Sequence, residues 1–446
     1  MKANVIHGDF NPCGGAERLA LVTMQALLEM GIDFDLTTLK SPDISKLENS
    51  YGKKLVSVMK SINKINIINI LEELRHQKQQ QQQLQLQKQQ QQQKKNYNDY
   101  NYDITINTNG DAAPYYHPSF SKNNTITYCH FPSTKYHIDS ESIDYLKTDL
   151  GLTEQSIFLS HHKEFEDSIN NSKNYKTRLQ FNNNSSSSSG RISEYYELIK
   201  YGYWNLMRNS TVITNSEFSQ RAIVDAMGLD NIYILNPPID IETFHNVALT
   251  SDVNNNNNNN NNPSNNIILV IARIAPHKKI ENAIKLAKIL KDNNIGKGMK
   301  IVGNLYYYFF DYYSEIKQMV LDLDLTDYIT FEINANLDKL LSIIRESRIY
   351  FHPMIGEHFG ISVLEAMAAG LIPVVPNEGG VKEFVPSKYQ FNSIEHAAEI
   401  IKNIFNHVPN KERIQINNNI NKFSSSHYIK EFQIILNKLL YQRKLQ

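Results

Sequence analysis

The richest chemistry in the chain lies in Glu357-His358-Phe359-Gly360-Ile361-Ser362-Val363-Leu364-Glu365. Two carboxylates stand eight positions apart, Glu357 in a predicted loop and Glu365 one turn inside a helix that opens near Ser362. Carboxylates accept hydrogen bonds from sugar and ribose hydroxyls, and the charge strengthens those bonds. The backbone N–H groups of Phe359, Gly360 and Ile361, at the helix start, can meet an oxyanion or a hydroxyl. The plain alternative is a solvated loop acid followed by a helix surface charge. Against it, Glu365 sits in the small apolar run Leu364 to Ala369, where a buried acid needs partners.

Four further segments carry chemistry. Arg273-Ile274-Ala275-Pro276-His277-Lys278-Lys279 follows a predicted strand and precedes a helix. Arg273 offers a planar fork and Lys278 a compact point charge, which together suit a pyrophosphate; a solvated basic loop is the bland reading. Cys13-Gly14-Gly15-Ala16-Glu17-Arg18 joins the first strand to the first helix. Paired glycines let a phosphate approach the backbone at a positive helix end, although such a pair is more often only a turn. Tyr128-Cys129-His130-Phe131-Pro132 places His130 at the carboxyl edge of a strand. An imidazole there can bond a sugar hydroxyl or stabilise charge, or simply be satisfied within a turn. Asn377-Glu378-Gly379-Gly380 marks another tight turn after a strand.

These residues need a scaffold that brings strand ends together. The predicted strands are Ala3–His7, Phe34–Leu39, Tyr102–Asn107, Thr125–Cys129, Thr211–Thr214 and Ile232–Leu235, with a helix at Ala16–Met30 stopped by Gly31 and another at Ile192–Arg208. The pattern then restarts, with strands at Ile267–Ala272, Met299–Val302, Tyr328–Glu332, Ile349–His352 and Ile372–Val375 and helices at Glu281–Lys291, Leu337–Glu346 and Ser362–Ala369. Repeated βα alternation predicts parallel sheets covered by helices, here an α/β protein of two doubly wound domains. Ligands then belong beyond the carboxyl ends of the strands, and the cleft between the halves is the expected active site. The expected domains are 1–236, 237–424 and a last helix over 425–446 that returns to the first domain. Low-complexity insertions at 77–95, 182–190 and 254–262, rich in Gln, Asn and Ser, cannot bury enough apolar surface to order and are expected as disordered surface loops.

The chain of 446 residues carries 46 Lys and Arg against 46 Asp and Glu, so no global field draws in nucleic acid or an anionic membrane. Its two cysteines, Cys13 and Cys129, make neither a disulfide scaffold nor a four-cysteine zinc site, and a reducing compartment fits. The apolar part of MKANVIHGDF is too short for a secretory signal, and no run approaches the about 20 apolar residues of a spanning helix. A cytoplasmic protein is expected, with peripheral membrane contact left open.

The ordered set GGAER, YCHFP, VITNSEFSQ, ILNPP, RIAPHK, IVG, EHFGISVLEAMAAG and EGG resembles glycosyltransferase family 4 across most of the chain outside the low-complexity tracts. The resemblance implies the GT-B fold, two facing Rossmann-like domains, and a retaining reaction that needs no metal and no cofactor beyond the nucleotide-sugar substrate. It implies Glu357 as the donor-sugar ligand, Glu365 as the ribose ligand and Arg273 with Lys278 as the diphosphate pair. It also implies Gly14 and Gly15 near the donor phosphates and His130 orienting the sugar. EHFG and the Tyr-x-His-x-Pro block are most similar to the mannosyltransferases of the dolichol pathway. That similarity implies GDP-mannose as donor, a glycan or lipid-linked acceptor and the cytoplasmic face of the endoplasmic reticulum. A UDP-sugar donor on another acceptor, a phosphorylase-like enzyme and a non-catalytic scaffold on the same fold are the alternatives.

Overall fold

Seven strands make the first sheet: β1 (Lys2–Ile6), β2 (Asp33–Thr38), β3 (Ile65–Ile67), β4 (Ile104–Asn107), β5 (Thr125–Cys129), β6 (Ser210–Thr214) and β7 (Ile232–Ile234). Six make the second: β8 (Ile267–Ile271), β9 (Gly298–Gly303), β10 (Ile329–Ile333), β11 (Ser347–Phe351), β12 (Ile372–Pro376) and β13 (Gln390–Phe391). The computed structural model describes residues 1–67, 102–110, 125–133, 207–208, 210–245, 247, 266–407 and 420–444. The three low-complexity insertions lie outside these residues, as does the expected helix at Ile192–Arg208 except for its last two positions.

The strand orders are β3-β2-β1-β4-β5-β6-β7 and β10-β9-β8-β11-β12-β13. Pairings are parallel, with Ala3 opposite both Phe34 and Ile104 in the first sheet and Leu269 opposite Lys300 and Tyr350 in the second. Each sheet therefore starts in its middle, winds to one edge, and returns to wind the other way, which is the Rossmann order. Strands buried on both faces carry continuous apolar runs rather than alternation, and β12 (IPVVP) is buried at every position. The chain separates into two units: Met1–Leu47 with Lys54–Thr214 and Gln220–Tyr233, and Glu48–Lys53 with Asn215–Ser219 and Ile234–Gln446.

Helix α1 (Gly15–Glu29) covers the first sheet. Its end is set by Gly31, which takes φ 67°, a conformation that suits glycine. In the second unit α2 (Ile280–Asp292) buries Ile280, Ala283, Ile284, Ala287 and Leu290, one stripe at helical spacing. A fully buried Ile or Leu of this kind contributes about 1.5–3 kcal/mol. Helix α3 (Leu337–Glu346) starts where the Asn336 side chain accepts the Lys339 N–H, and α4 (Ile361–Ala368) starts at Gly360. Among the described residues no helix is long and apolar enough to cross a membrane. Apart from the helix expected at Ile192–Arg208, the predicted strands and helices recur within a residue or two, whereas the short edge strands β3 and β13 have no counterpart among them.

Candidate active site

In the second sheet the winding reverses between the neighbours β8 and β11. A ligand site is expected beyond the carboxyl ends of such a pair. Lys278 leaves β8 through a short 3-10 turn, Pro276–Lys278, and Lys279 at φ 53° then turns the chain into α2. His352 and Glu357 leave β11. Across this point the Lys278 Nζ donates to Glu357 Oε2 at 2.8 Å, joining two motifs 79 residues apart. A second link ties the same elements, since Asn282 Nδ2 donates to the Pro353 carbonyl at 3.0 Å.

Glu357 is almost enclosed, its side chain 12% exposed beside a Lys278 side chain that is 24% exposed. The His358 N–H donates to its Oε1 at 3.2 Å, and His352 Nε2 lies 3.3 Å from Oε2. Burial alone would push this carboxyl up, but Lys278 first, then His352 and His358, outweigh it and hold Glu357 well below the usual carboxylate range. The group is thus an oriented anion at neutral pH. His352 is buried, and its Nδ1 meets the Tyr350 hydroxyl at 3.3 Å. That hydroxyl lies 2.7 Å from Ser362 Oγ and 3.2 Å from the Ile271 carbonyl.

The backbone path through EHFG depends on glycine. Gly360 has φ 95°, and a Cβ there would come 2.5 Å from Val381 Cγ1. The paired glycines of the EGG segment serve the same loop: Gly379 bridges Glu357 in parallel, and a Cβ on Gly380 would come 2.2 Å from the His358 carbonyl oxygen. Their role is therefore close passage of two backbones. The Gly380 N–H donates to the Glu357 carbonyl at 2.7 Å, and Ser216 Oγ donates to the His358 carbonyl at 2.7 Å.

The other sequence candidates of this unit fall around that centre. Arg273 is exposed just beyond β8, its guanidinium 5.6 Å from the Tyr306 ring centroid. The Phe359 side chain is buried in the core against Phe384 and Phe423, so only its backbone can meet a ligand. Ile361 is partly buried at the first turn of α4 and Glu365 is half-buried one turn further on.

In the first unit the winding reverses between β1 and β4. Gly14 caps α1, and its N–H donates to Glu17 Oε2, which reaches back over the helix end ahead of Gly15. Glu17 Oε1 lies 3.6 Å from buried His7 Nε2, and His7 Nδ1 meets Thr108 Oγ1 at 3.1 Å. His130 Nε2 donates to the Thr108 carbonyl at 3.2 Å, which sets its tautomer. Burial lowers His130 to about 4, opposed by that hydrogen bond, so the ring is neutral at physiological pH. Gly14, Gly15 and His130 thus share one sheet edge, while Arg273, Lys278, Glu357, Phe359, Gly360, Ile361 and Glu365 share the other unit. Sequence reasoning missed His352, Tyr350, His7 and Thr108, each at or just beyond a strand end; that position is the signal that could have found them.

Residues 252–422 match the family model described as Glycosyl transferases group 1. The match falls within the second unit. Lys278, Glu357 and Glu365 all lie inside it. The chain is 25% identical over 286 residues to a Dictyostelium discoideum protein named GDP-Man:Man(3)GlcNAc(2)-PP-Dol alpha-1,2-mannosyltransferase, covering 59% of this chain and 55% of that protein. It is 27% identical over 257 residues to the human protein of the same name, covering 54% and 50%. The chain thus spans about half the length of the curated relatives it matches. Among solved structures, Anabaena HepE in complex with UDP and glucose aligns over 99% of each chain with a TM-score of 0.60 and 15% identity. That likeness establishes the fold, two Rossmann-like domains of the GT-B class.

Proposed function

We propose that this protein is a retaining glycosyltransferase that moves mannose from GDP-mannose to a lipid-linked glycan at the cytoplasmic face of the endoplasmic reticulum. The observation that carries the reading is the Lys278–Glu357 pair at the β8/β11 switch point, inside the residues that match the group 1 model. The names of the Dictyostelium and human relatives support the donor and the acceptor class.

In this reading Glu357 accepts hydrogen bonds from the transferred sugar and Glu365 from the ribose, while Arg273 and Lys278 neutralise the diphosphate. Backbone N–H groups at Phe359, Gly360 and Ile361 complete the donor contacts. Residues 237–424 bind the donor and residues 1–236 serve the acceptor, with His130 and the Gly14-Gly15 turn on that side. Neutral His130 suits a hydrogen bond to a sugar hydroxyl better than a charge interaction. Stabilising the departing diphosphate with fixed positive groups is the main catalytic effect. The leaving diphosphate takes the proton from the attacking hydroxyl on the same face, so no side-chain nucleophile is required.

A thermal-shift panel of nucleotide sugars tests the donor assignment. A ligand at one hundred times its dissociation constant stabilises by about 2.7 kcal/mol. GDP-mannose should raise the melting temperature more than UDP-sugars do. Stabilisation by a UDP-sugar alone would overturn the donor assignment.

A further inference from the structure

Two side chains of unlike character face Glu357 Oε2. Lys278 sits on a flexible four-carbon stem with its side chain 24% exposed. His352 is 2% exposed, locked at the end of β11, and braced through the Tyr350 hydroxyl to Ser362 and the Ile271 carbonyl. When Lys278 turns to a donor diphosphate, its hold on Glu357 weakens. The buried carboxylate then needs a partner that does not move.

We propose that His352 is the positioning residue that keeps Glu357 oriented and ionised when Lys278 engages the donor. The inference rests on the donor-site reading above for its consequence, but its geometry stands on proton accounting alone. The Tyr350 hydroxyl has one proton and faces two groups that can take it, the Ile271 carbonyl and His352 Nδ1. If it goes to Nδ1, the ring is neutral with its proton on Nε2. If it goes to Ile271, Nδ1 must donate to the tyrosine oxygen, and a ring that also keeps a proton on Nε2 satisfies both neighbours. Ser362 Oγ can donate to that oxygen in either case. Both arrangements place an N–H on Nε2, toward the carboxylate 3.3 Å away. The third arrangement, a lone pair on Nε2 facing the carboxylate, sets two acceptors against each other in a buried site. Nε2 has no hydrogen bond of regular geometry among the described residues, and the carboxylate oxygen 3.3 Å away is its near polar neighbour.

Two measurements on the full chain decide it. Histidine-selective ¹⁵N NMR, with His352 assigned through His352→Gln, should show a protonated Nε2 in the unliganded protein; an unprotonated Nε2 would overturn the proposal whatever the donor proves to be. Calorimetry with GDP and GDP-mannose should then show that His352→Gln and Tyr350→Phe lower the affinity ratio of GDP-mannose to GDP by about tenfold, the scale of one oriented polar contact. Affinity for GDP itself should be kept. A purely structural role would weaken both ligands together, and such a parallel loss, or an unchanged ratio in folded forms of both variants, overturns the positioning role. If the wild type binds neither compound, the donor reading fails instead, and the NMR result alone decides the placement of His352.

Discussion

Replacing Lys278 with Met should destabilise the protein as well as slow it, because the lysine holds a buried carboxylate. Removing one partner of a fully buried ion pair costs about 3–5 kcal/mol. Here the lysine side chain is 24% exposed and Glu357 keeps His352 and the His358 N–H, so water and the remaining donors recover part of the loss. A cost of about 1–3 kcal/mol follows, or roughly 2–10 °C in melting temperature for a unit of this size. Glu357→Gln should cost less, since the lysine left behind can reach solvent. The double variant should be more stable than the sum of the singles predicts, with a coupling of about 1–2 kcal/mol. The pH dependence has a definite sign. The native Glu357 carboxyl lies well below its ordinary value of 4.5, so its contribution is complete above that value and is lost as pH falls through the native one. The stability difference between wild type and Glu357→Gln should therefore shrink below about pH 4.5. Denaturant unfolding of the four proteins at neutral and acid pH measures all of this. Additive losses with no pH-dependent difference would refute the pairing.

Glu365→Ala should weaken nucleotide-sugar binding by about 1.5–3 kcal/mol through loss of a charged acceptor, and unchanged affinity in calorimetry would remove Glu365 from the ribose site. His130 should remain neutral as pH is lowered toward about 4, where its unfolded counterpart near 6.5 has already charged. Stability should then fall between those two values in the wild type, and less so in His130→Gln; an NMR titration of His130 near 6.5 would contradict the burial argument. Transfer should persist in EDTA, since Arg273 and Lys278 supply the positive charge on the diphosphate; loss on chelation with rescue by manganese would contradict that.

The two-unit fold was legible because buried parallel strands appear as short apolar runs ending at turn residues, and Thr125–Cys129 and Leu337–Glu346 are predicted and observed at the same residues. Ile65–Ile67 and Gln390–Phe391 were not, since two or three residues at a sheet edge carry no period. Within the site, Glu357 and Lys278 were legible as charge types in the right loops, but their mutual contact arises from sheet order across 79 residues. His352 stands just beyond the end of β11, a position that could have marked it, but its aim at a carboxylate five residues on depends on the path of the loop that follows the strand. The EGG glycines make the tight turn read from the sequence, between β12 and the 3-10 turn Gly380–Glu383, whereas their close passage by the backbone of residues 357 and 358 was not legible.

The central claim is transfer of mannose by the Glu357 site. The most direct measurement supplies the purified chain with labelled GDP-mannose and a dolichyl-diphosphate-linked oligosaccharide, then determines the new linkage by NMR. The account predicts labelled mannose joined in the α configuration, with transfer falling at least tenfold in Glu357→Gln while that variant remains folded. A β linkage, transfer from a UDP-sugar in place of GDP-mannose, or full activity in Glu357→Gln would contradict it.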